Sequence, residues 1–215
     1  MPIDFSLYLV ADADFFKKIA VPGAAGRDFL GIVDAAVQGG VTVVQLRAKA
    51  LPFREFLGLG LRTADLLART GVPLLVNDRL DIALACGAAG VHLGQEDMPV
   101  PRARKILGPD RIIGVSVNTP EEALRAEREG ADYVGACPAY VTTTKEIALG
   151  VLGPEGIGRI KRAVRIPVVA IGGINAGNSA ALADSGADGI AVISAVLGAP
   201  DARRAADDLR KAFKR

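Results

Sequence analysis

The sequence has no tryptophan, one histidine, two cysteines, two methionines and aromatic residues at only 5% of its positions. Few aromatics leave little to stack on bases. With 26 basic against 24 acidic side chains and no basic cluster, the chain also lacks the electrostatic footprint of a nucleic-acid binder. Cys86 and Cys137 lie far apart in the chain, which is neither a metal-ligand spacing nor a disulfide framework, so a reducing cytoplasm is the expected setting. Neither cysteine has an activating base close by in sequence, and small-residue packing is the expected role of both. No nucleophile elbow and no Ser, His, Asp set stands out. The longest apolar runs, such as Val41 to Val44 and Ile166 to Ile171, are far shorter than the ~20 residues that cross a bilayer, so no membrane association is expected. The first residues carry acids where a secretory signal would carry positive charge.

What the 215 residues do contain is a 50% hydrophobic share, distributed in short runs rich in β-branched residues. Such runs are too short for helices and read as strands buried on both faces. Eight are expected: Leu7 to Val10, Val41 to Gln45, Leu74 to Val76, Gly90 to Leu93, Ile112 to Ser116, Tyr133 to Ala136, Val168 to Ile171 and Gly189 to Val192. Between them lie segments with helical periodicity, clearest at Pro120 to Glu129, and Arg203 to Arg215 reads as a last amphipathic helix. Glycines before several strands, at Gly39-Gly40, Gly71, Gly87, Gly130 and Gly186, fit helix C-caps. Pro73 and Pro167 fit the first position of a strand, where a missing amide donor is tolerated. GADYVGA at Gly130 and GADGIAV at Gly186 form a weak internal repeat of a module that ends a helix and starts a strand, with CGAAGVHLG at Cys86 a looser relative. Alternating strands and helices allow an open doubly wound sheet or a closed (β/α)₈ TIM barrel. No linker divides the chain, and eight strands favour one barrel domain over residues 1–215, in which chemistry belongs at the C-terminal ends of the strands.

The residues at those ends are polar. Gln45, Arg47 and Lys49 alternate onto one face after the second run, as an anion site would require. Asn77-Asp78-Arg79 follows the third run, where helix capping by Asn77 or Asp78 is the simplest reading of that segment alone. The fourth run leads to Asp97. If neighbouring strands bring Asp78 and Asp97 together, Mg²⁺ held by one or two carboxylates plus substrate phosphates is the natural occupant. His92 lies inside that strand and reads as a core or rim histidine without a primary role. Ser116 and Asn118 end the fifth run, and Thr142, Thr143, Thr144 and Lys145 follow the sixth, a set suited to phosphate or diphosphate. Gly172-Gly173 and Ser194, after the seventh and eighth runs, fall where such barrels often hold phosphate through backbone amides, though a tight turn explains the glycines equally.

Taken in order, QLRAK at Gln45, NDR at Asn77, GVHLGQED at Gly90, GVSV at Gly114, TTTK at Thr142, AIGGI at Ala170 and GADGIAVISA at Gly186 resemble the thiamine-phosphate synthase family over nearly the whole chain. The resemblance implies a (β/α)₈ barrel that joins hydroxymethylpyrimidine diphosphate to hydroxyethylthiazole phosphate with release of pyrophosphate, requires Mg²⁺, and forms a homodimer. It implies a pyrimidine contact at Gln45, diphosphate contacts at Arg47, Lys49, Asn77 and Lys145, and Mg²⁺ ligands at Asp78 and Asp97. It places Ser116 near the reacting centre and Thr142, Thr144, Gly173, Ile193 and Ser194 around the thiazole phosphate. It further implies a dissociative displacement, in which Arg47, Lys49, Ser116 and Lys145 serve catalysis around the departing diphosphate.

The sequence departs from that pattern at Asn118, where relatives often carry His, at Tyr140-Val141 in place of Phe-Pro, and at Ile147 and Gly150-Val151. A related thiazole tautomerase would use a His in the slot of Asn118 and would not need the Asp78 and Asp97 pair. An idle phosphate binder on the same barrel would not need the diphosphate half, and another phosphate-binding barrel would leave QLRAK, NDR and GQED unexplained.

Overall fold

The computed structural model describes residues 3–19, 28–142 and 150–214. Eight parallel strands close into a barrel in sequence order, β1 to β8, with β8 pairing β1. They are β1 Leu7–Asp12, β2 Val43–Arg47, β3 Leu74–Asn77, β4 Gly90–Leu93, β5 Ile112–Val117, β6 Tyr133–Ala136, β7 Val168–Ile171 and β8 Gly189–Val192. The apolar runs become strands because both faces are covered. Leu7, Leu9, Val44, Leu46 and Val76 pack outward against the helices, while Tyr8, Val10, Val43, Leu75, Tyr133 and Val169 fill the interior. Alternate residues of one strand therefore serve two different cores.

The helices carry local signals that the sequence spells out. Thr119 caps helix Pro120–Glu129 by accepting from the Glu122 amide at 3.2 Å, and Gly130 ends it at φ 94°. Helix Phe53–Ala68 buries Phe56, Leu59, Gly60, Thr63 and Leu67, a stripe spaced for one face. Helix Ala202–Phe213 begins on Asp201, whose carboxylate accepts from the Arg204 amide, and it buries Ala206, Leu209 and Phe213.

Three local expectations shift. β2 begins at Val43 and runs on to Arg47, two residues later than the apolar run at each end. Pro73 and Pro167 sit just before β3 and β7, and their carbonyls extend the ladder by accepting from Val44 and Val134. Of the junction glycines, Gly39 has an ordinary φ of −80°; it is small because a Cβ there would lie 2.2 Å from the Arg203 carbonyl oxygen.

The internal repeat has a structural meaning. In both copies the Asp of the GAD triplet accepts from the first or second amide of the preceding strand, Asp132 from Ile113 and Asp188 from Val168, each at 2.7 Å. Each carboxylate also pairs with a cation of an earlier helix, Arg104 in one copy and Lys161 in the other. At the looser copy Ala89 supplies only its backbone, donating to the Leu74 carbonyl at 2.8 Å.

Candidate active site

Buried polar side chains gather at the C-terminal mouth of the barrel, where Asp12, Gln45 and Asn77 are each at most 9% exposed. Groups so buried need partners. They surround a cavity of about 570 Å³ whose wall includes Gln45, Arg47, Lys49, Asn77, Asp97, Ser116, Thr142 and Ile193. Strands β2 to β5 thus deliver one expected group after another to one space.

On β1 and β2 the cross-strand register sets Val10 beside Gln45 and Asp12 beside Arg47. Asp12 accepts a short charge-assisted hydrogen bond from the Arg47 guanidinium, and its other oxygen caps helix Ala13–Lys18 through the amides of Asp14 and Phe15, at 3.0 and 2.9 Å. One buried carboxylate therefore fixes both the helix start and the direction of Arg47. Sequence reasoning misses Asp12 because the apolar run stops at Val10; the alternation Tyr8, Val10, Asp12 is the signal that finds it.

At the top of β3, Asp78 takes a left-handed backbone conformation, φ 61°, the only positive φ among the described residues other than glycine. Aspartate tolerates this better than most residues. The Asp78 amide donates to the His92 carbonyl at 2.9 Å, and Lys49 Nζ stands 3.1 Å from its carboxylate. Burial, together with a hydrogen-bonding contact and like charge from Asp97, pushes the Asp78 carboxyl above the usual range. Asp97 in turn accepts from the Gly94 amide at 2.6 Å. The expected capping role of Asn77 or Asp78 does not hold: Arg79 occupies the N-cap of helix Leu80–Ala85, with no side-chain cap bond. Asn77 faces the cavity instead. Asp78 is not itself on the cavity wall, and reaches the site through Lys49 and Asp97.

Ser116 Oγ is 2.9 Å from His92 Nε2, and His92 Nδ1 is 2.8 Å from the Tyr133 hydroxyl. His92 also lines the cavity, so the histidine expected to be a core or rim residue belongs to the polar framework of the site. Cys86 is buried as expected, but Cys137 lines the cavity beside Asn118, whose amide donates to the Cys137 carbonyl.

The phosphate half is described in part. Thr142 and Ile193 line the cavity, and so does Gly172 rather than Gly173. Gly173, at φ 64°, is required by close packing: a Cβ there would lie 2.4 Å from the Val141 carbonyl oxygen. Ser194 opens a short helical turn, Ser194–Leu197, directly after Ile193. Thr143, Thr144, Lys145 and Ile147 lie outside the described residues. Gly150 and Val151 are exposed, and Tyr140 donates from its hydroxyl to the Asn178 carbonyl at 2.9 Å.

Two carboxylates close enough to raise one of their pKa values suit a hard divalent cation. Among the described residues no cluster of three or more His, Cys, Asp or Glu forms a closed metal cage. Two carboxylates of this kind fit Mg²⁺, which keeps waters and completes its shell with substrate phosphates. No helix among the described residues is long and apolar enough to cross a membrane.

Comparison with known proteins agrees with the geometry. Residues 7–196 match a family model described as thiamine monophosphate synthase. A thiamine-phosphate synthase of Desulfitobacterium hafniense is 47% identical over 209 residues, 97% of each chain, and one of Moorella thermoacetica is 48% identical over 202 residues, 94% of this chain and 96% of that one. A solved thiamine phosphate pyrophosphorylase from Pyrococcus furiosus superposes with a TM-score of 0.85 at 42% identity, covering 98% of this chain and 96% of that one.

Proposed function

Because this chain belongs to the thiamine monophosphate synthase family and is a transferase that makes thiamine phosphate from pyrimidine and thiazole phosphates, we propose that the cavity at the barrel mouth is where the two are joined. The observation that carries this reading is the convergence of Arg47, Lys49, Asn77, Asp97 and Ser116 on one space from four successive strands, β2 to β5 and the loops after them, with Asp78 joined to that space through Lys49 and Asp97. An idle binder of thiazole phosphate would have no use for that diphosphate half.

In this reading the diphosphate of the pyrimidine substrate lies against Arg47, Lys49 and Asn77, and Gln45 meets the pyrimidine ring. Asp78 and Asp97 would hold Mg²⁺, which when bound would supply positive charge against the departing pyrophosphate. Arg47 and Lys49, with Lys145, stabilise that same charge as it develops in a dissociative displacement, more strongly in the transition state than in the ground state. Asp12 keeps the guanidinium of Arg47 pointed at the leaving group, so little reorganisation accompanies reaction. Ser116 sits at the junction of the two halves, and Thr142, Gly172 in the place expected of Gly173, Ile193 and the adjoining Ser194 would surround the phosphate of the thiazole. No strong general base is needed, because the thiazole nitrogen attacks through its own lone pair. Holding two substrates in line contributes up to ~7 to 11 kcal/mol in favourable cases. A cytoplasmic homodimer completes the reading; sedimentation at micromolar concentration giving only the mass of one chain would contradict the dimer.

The metal half is tested by turnover measured against Mg²⁺ concentration. The expected result is loss of thiamine phosphate formation in chelator and its return on adding Mg²⁺, with Asp78→Ala and Asp97→Ala each folded but no longer responsive. Full turnover in chelator would contradict the metal assignment.

A further inference from the structure

Along the cavity floor, a run of hydrogen bonds crosses the barrel interior and joins two residues placed at the substrates. Gln45 Nε2 donates to the Tyr8 hydroxyl at 2.7 Å, Tyr8 meets the Tyr133 hydroxyl at 2.8 Å, Tyr133 meets His92 Nδ1 at 2.8 Å, and His92 Nε2 meets Ser116 Oγ at 2.9 Å. Tyr8 and Tyr133 are almost wholly buried, and burial holds both phenols well above their ordinary range, so both keep their protons. The interior is shaped to admit these rings. A Cβ on Gly114 would fall 2.1 Å from the Tyr133 ring, and one on Gly135 would fall 3.0 Å from His92 Cε1.

The direction of the run follows from counting protons. A phenol has one proton to give. The Gln45 amide nitrogen can only donate, so the Tyr8 proton goes to Tyr133. Tyr133 then accepts from Tyr8 and gives its own proton to the remaining partner, His92 Nδ1. With Nδ1 accepting, the neutral ring carries its proton on Nε2 and donates to Ser116. The Ser116 proton is left for a bound acceptor, while the Gln45 carbonyl oxygen is left for a bound donor.

We propose that Tyr133 is a positioning residue, and that the buried run from Gln45 to Ser116 holds His92 as its Nε2–H tautomer so that Ser116 presents a donor and Gln45 an acceptor to the substrates. Resting on the synthase reading, this pairs Ser116 with an oxygen of the diphosphate and Gln45 with an amino group of the pyrimidine. A reversed run would present an acceptor to an anion and a donor to an amine, the wrong polarity at both ends.

The single histidine makes the test direct. Protein labelled with ¹⁵N-histidine gives one imidazole in the nitrogen NMR spectrum, and its two shifts report which nitrogen carries the proton. The unaltered protein is expected to show the Nε2–H tautomer. Tyr133→Phe removes the donor to Nδ1, and Gln45→Leu removes the amide that sets the direction from two hydroxyls away; both are expected to convert the ring to a tautomer mixture. In Tyr133→Phe, kcat is expected to fall about 10- to 100-fold with KM little changed, as for a misdirected group near the reacting atoms. If Tyr133→Phe does not fold, Gln45→Leu carries the comparison. An Nδ1–H tautomer in the unaltered protein, or a ring unmoved in the variants that fold, overturns the proposal. Because the spectrum requires no substrate, an inactive protein with the Nε2–H ring would count against the synthase reading and leave this one standing.

Discussion

Asp12 shows how much one residue can hold in place. Its two oxygens divide between a helix start and the Arg47 guanidinium, so Asp12→Asn keeps an acceptor for the helix amides but sets an amide against a cation. Thiamine phosphate formation by Asp12→Asn is expected to drop about 10- to 100-fold, the scale of a catalytic group displaced by about 1 Å. Its denaturant midpoint should also fall, because a largely buried guanidinium loses its counter-charge, and Asp12→Ala adds the loss of the cap, about 1 kcal/mol. Unchanged turnover in Asp12→Asn would show that Arg47 needs no guide. At this scale the sequence is legible where polar groups follow an apolar run, as at Gln45, Arg47, Ser116 and Asp97. It is opaque where partners are distant in the chain: Asp12 and Arg47 are neighbours only through the register of β1 on β2, and His92 gains its place through Tyr133, on a strand two removed. The capping expectation at Asn77 and Asp78 fails for a related reason, since a left-handed turn at Asp78 is set by tertiary contacts with β4 and Lys49.

Among elements, the strand and helix pattern is nearly all local. Helix Pro120–Glu129 falls at its expected bounds because Thr119, Pro120 and Gly130 mark both ends within the segment itself. The GAD repeat is visible as similarity, but its purpose depends on the neighbouring strand, whose edge amide the Asp receives. Asp188→Ala leaves the Val168 amide without that acceptor and should cost about 1 to 3 kcal/mol in urea unfolding. Asp188 lies at the start of β8, away from the cavity, so turnover per folded molecule should be unchanged. Gly114→Ala makes the opposite point from inside the barrel. With no room beside the Tyr133 ring it should destabilise by about 1 to 3 kcal/mol or more and reduce turnover as well, because the displaced ring carries the hydroxyl that His92 meets. A variant as stable and as active as the parent would mean that the ring has space the packing does not show.

For the whole molecule, burial on both faces explains why eight short apolar runs suffice to specify a barrel. The same closure gathers polar strand ends from distant parts of the chain into one mouth, so the diphosphate half is legible from the residues that follow each run. The floor is not, because the run that joins Gln45 to Ser116 passes through Tyr8, Tyr133 and His92, which come from three other strands and look like ordinary core or rim residues one at a time. The central claim is that this mouth joins the two substrates with the leaving diphosphate held by the Arg47, Lys49, Asp78 and Asp97 side. It is met most directly by following thiamine phosphate and pyrophosphate together in the parent protein and in Arg47→Ala. The account predicts equal amounts of the two products from the parent and a fall in kcat of about 10²- to 10³-fold in the folded variant, the cost of removing one donor to developing charge. Equal turnover by parent and variant would contradict it.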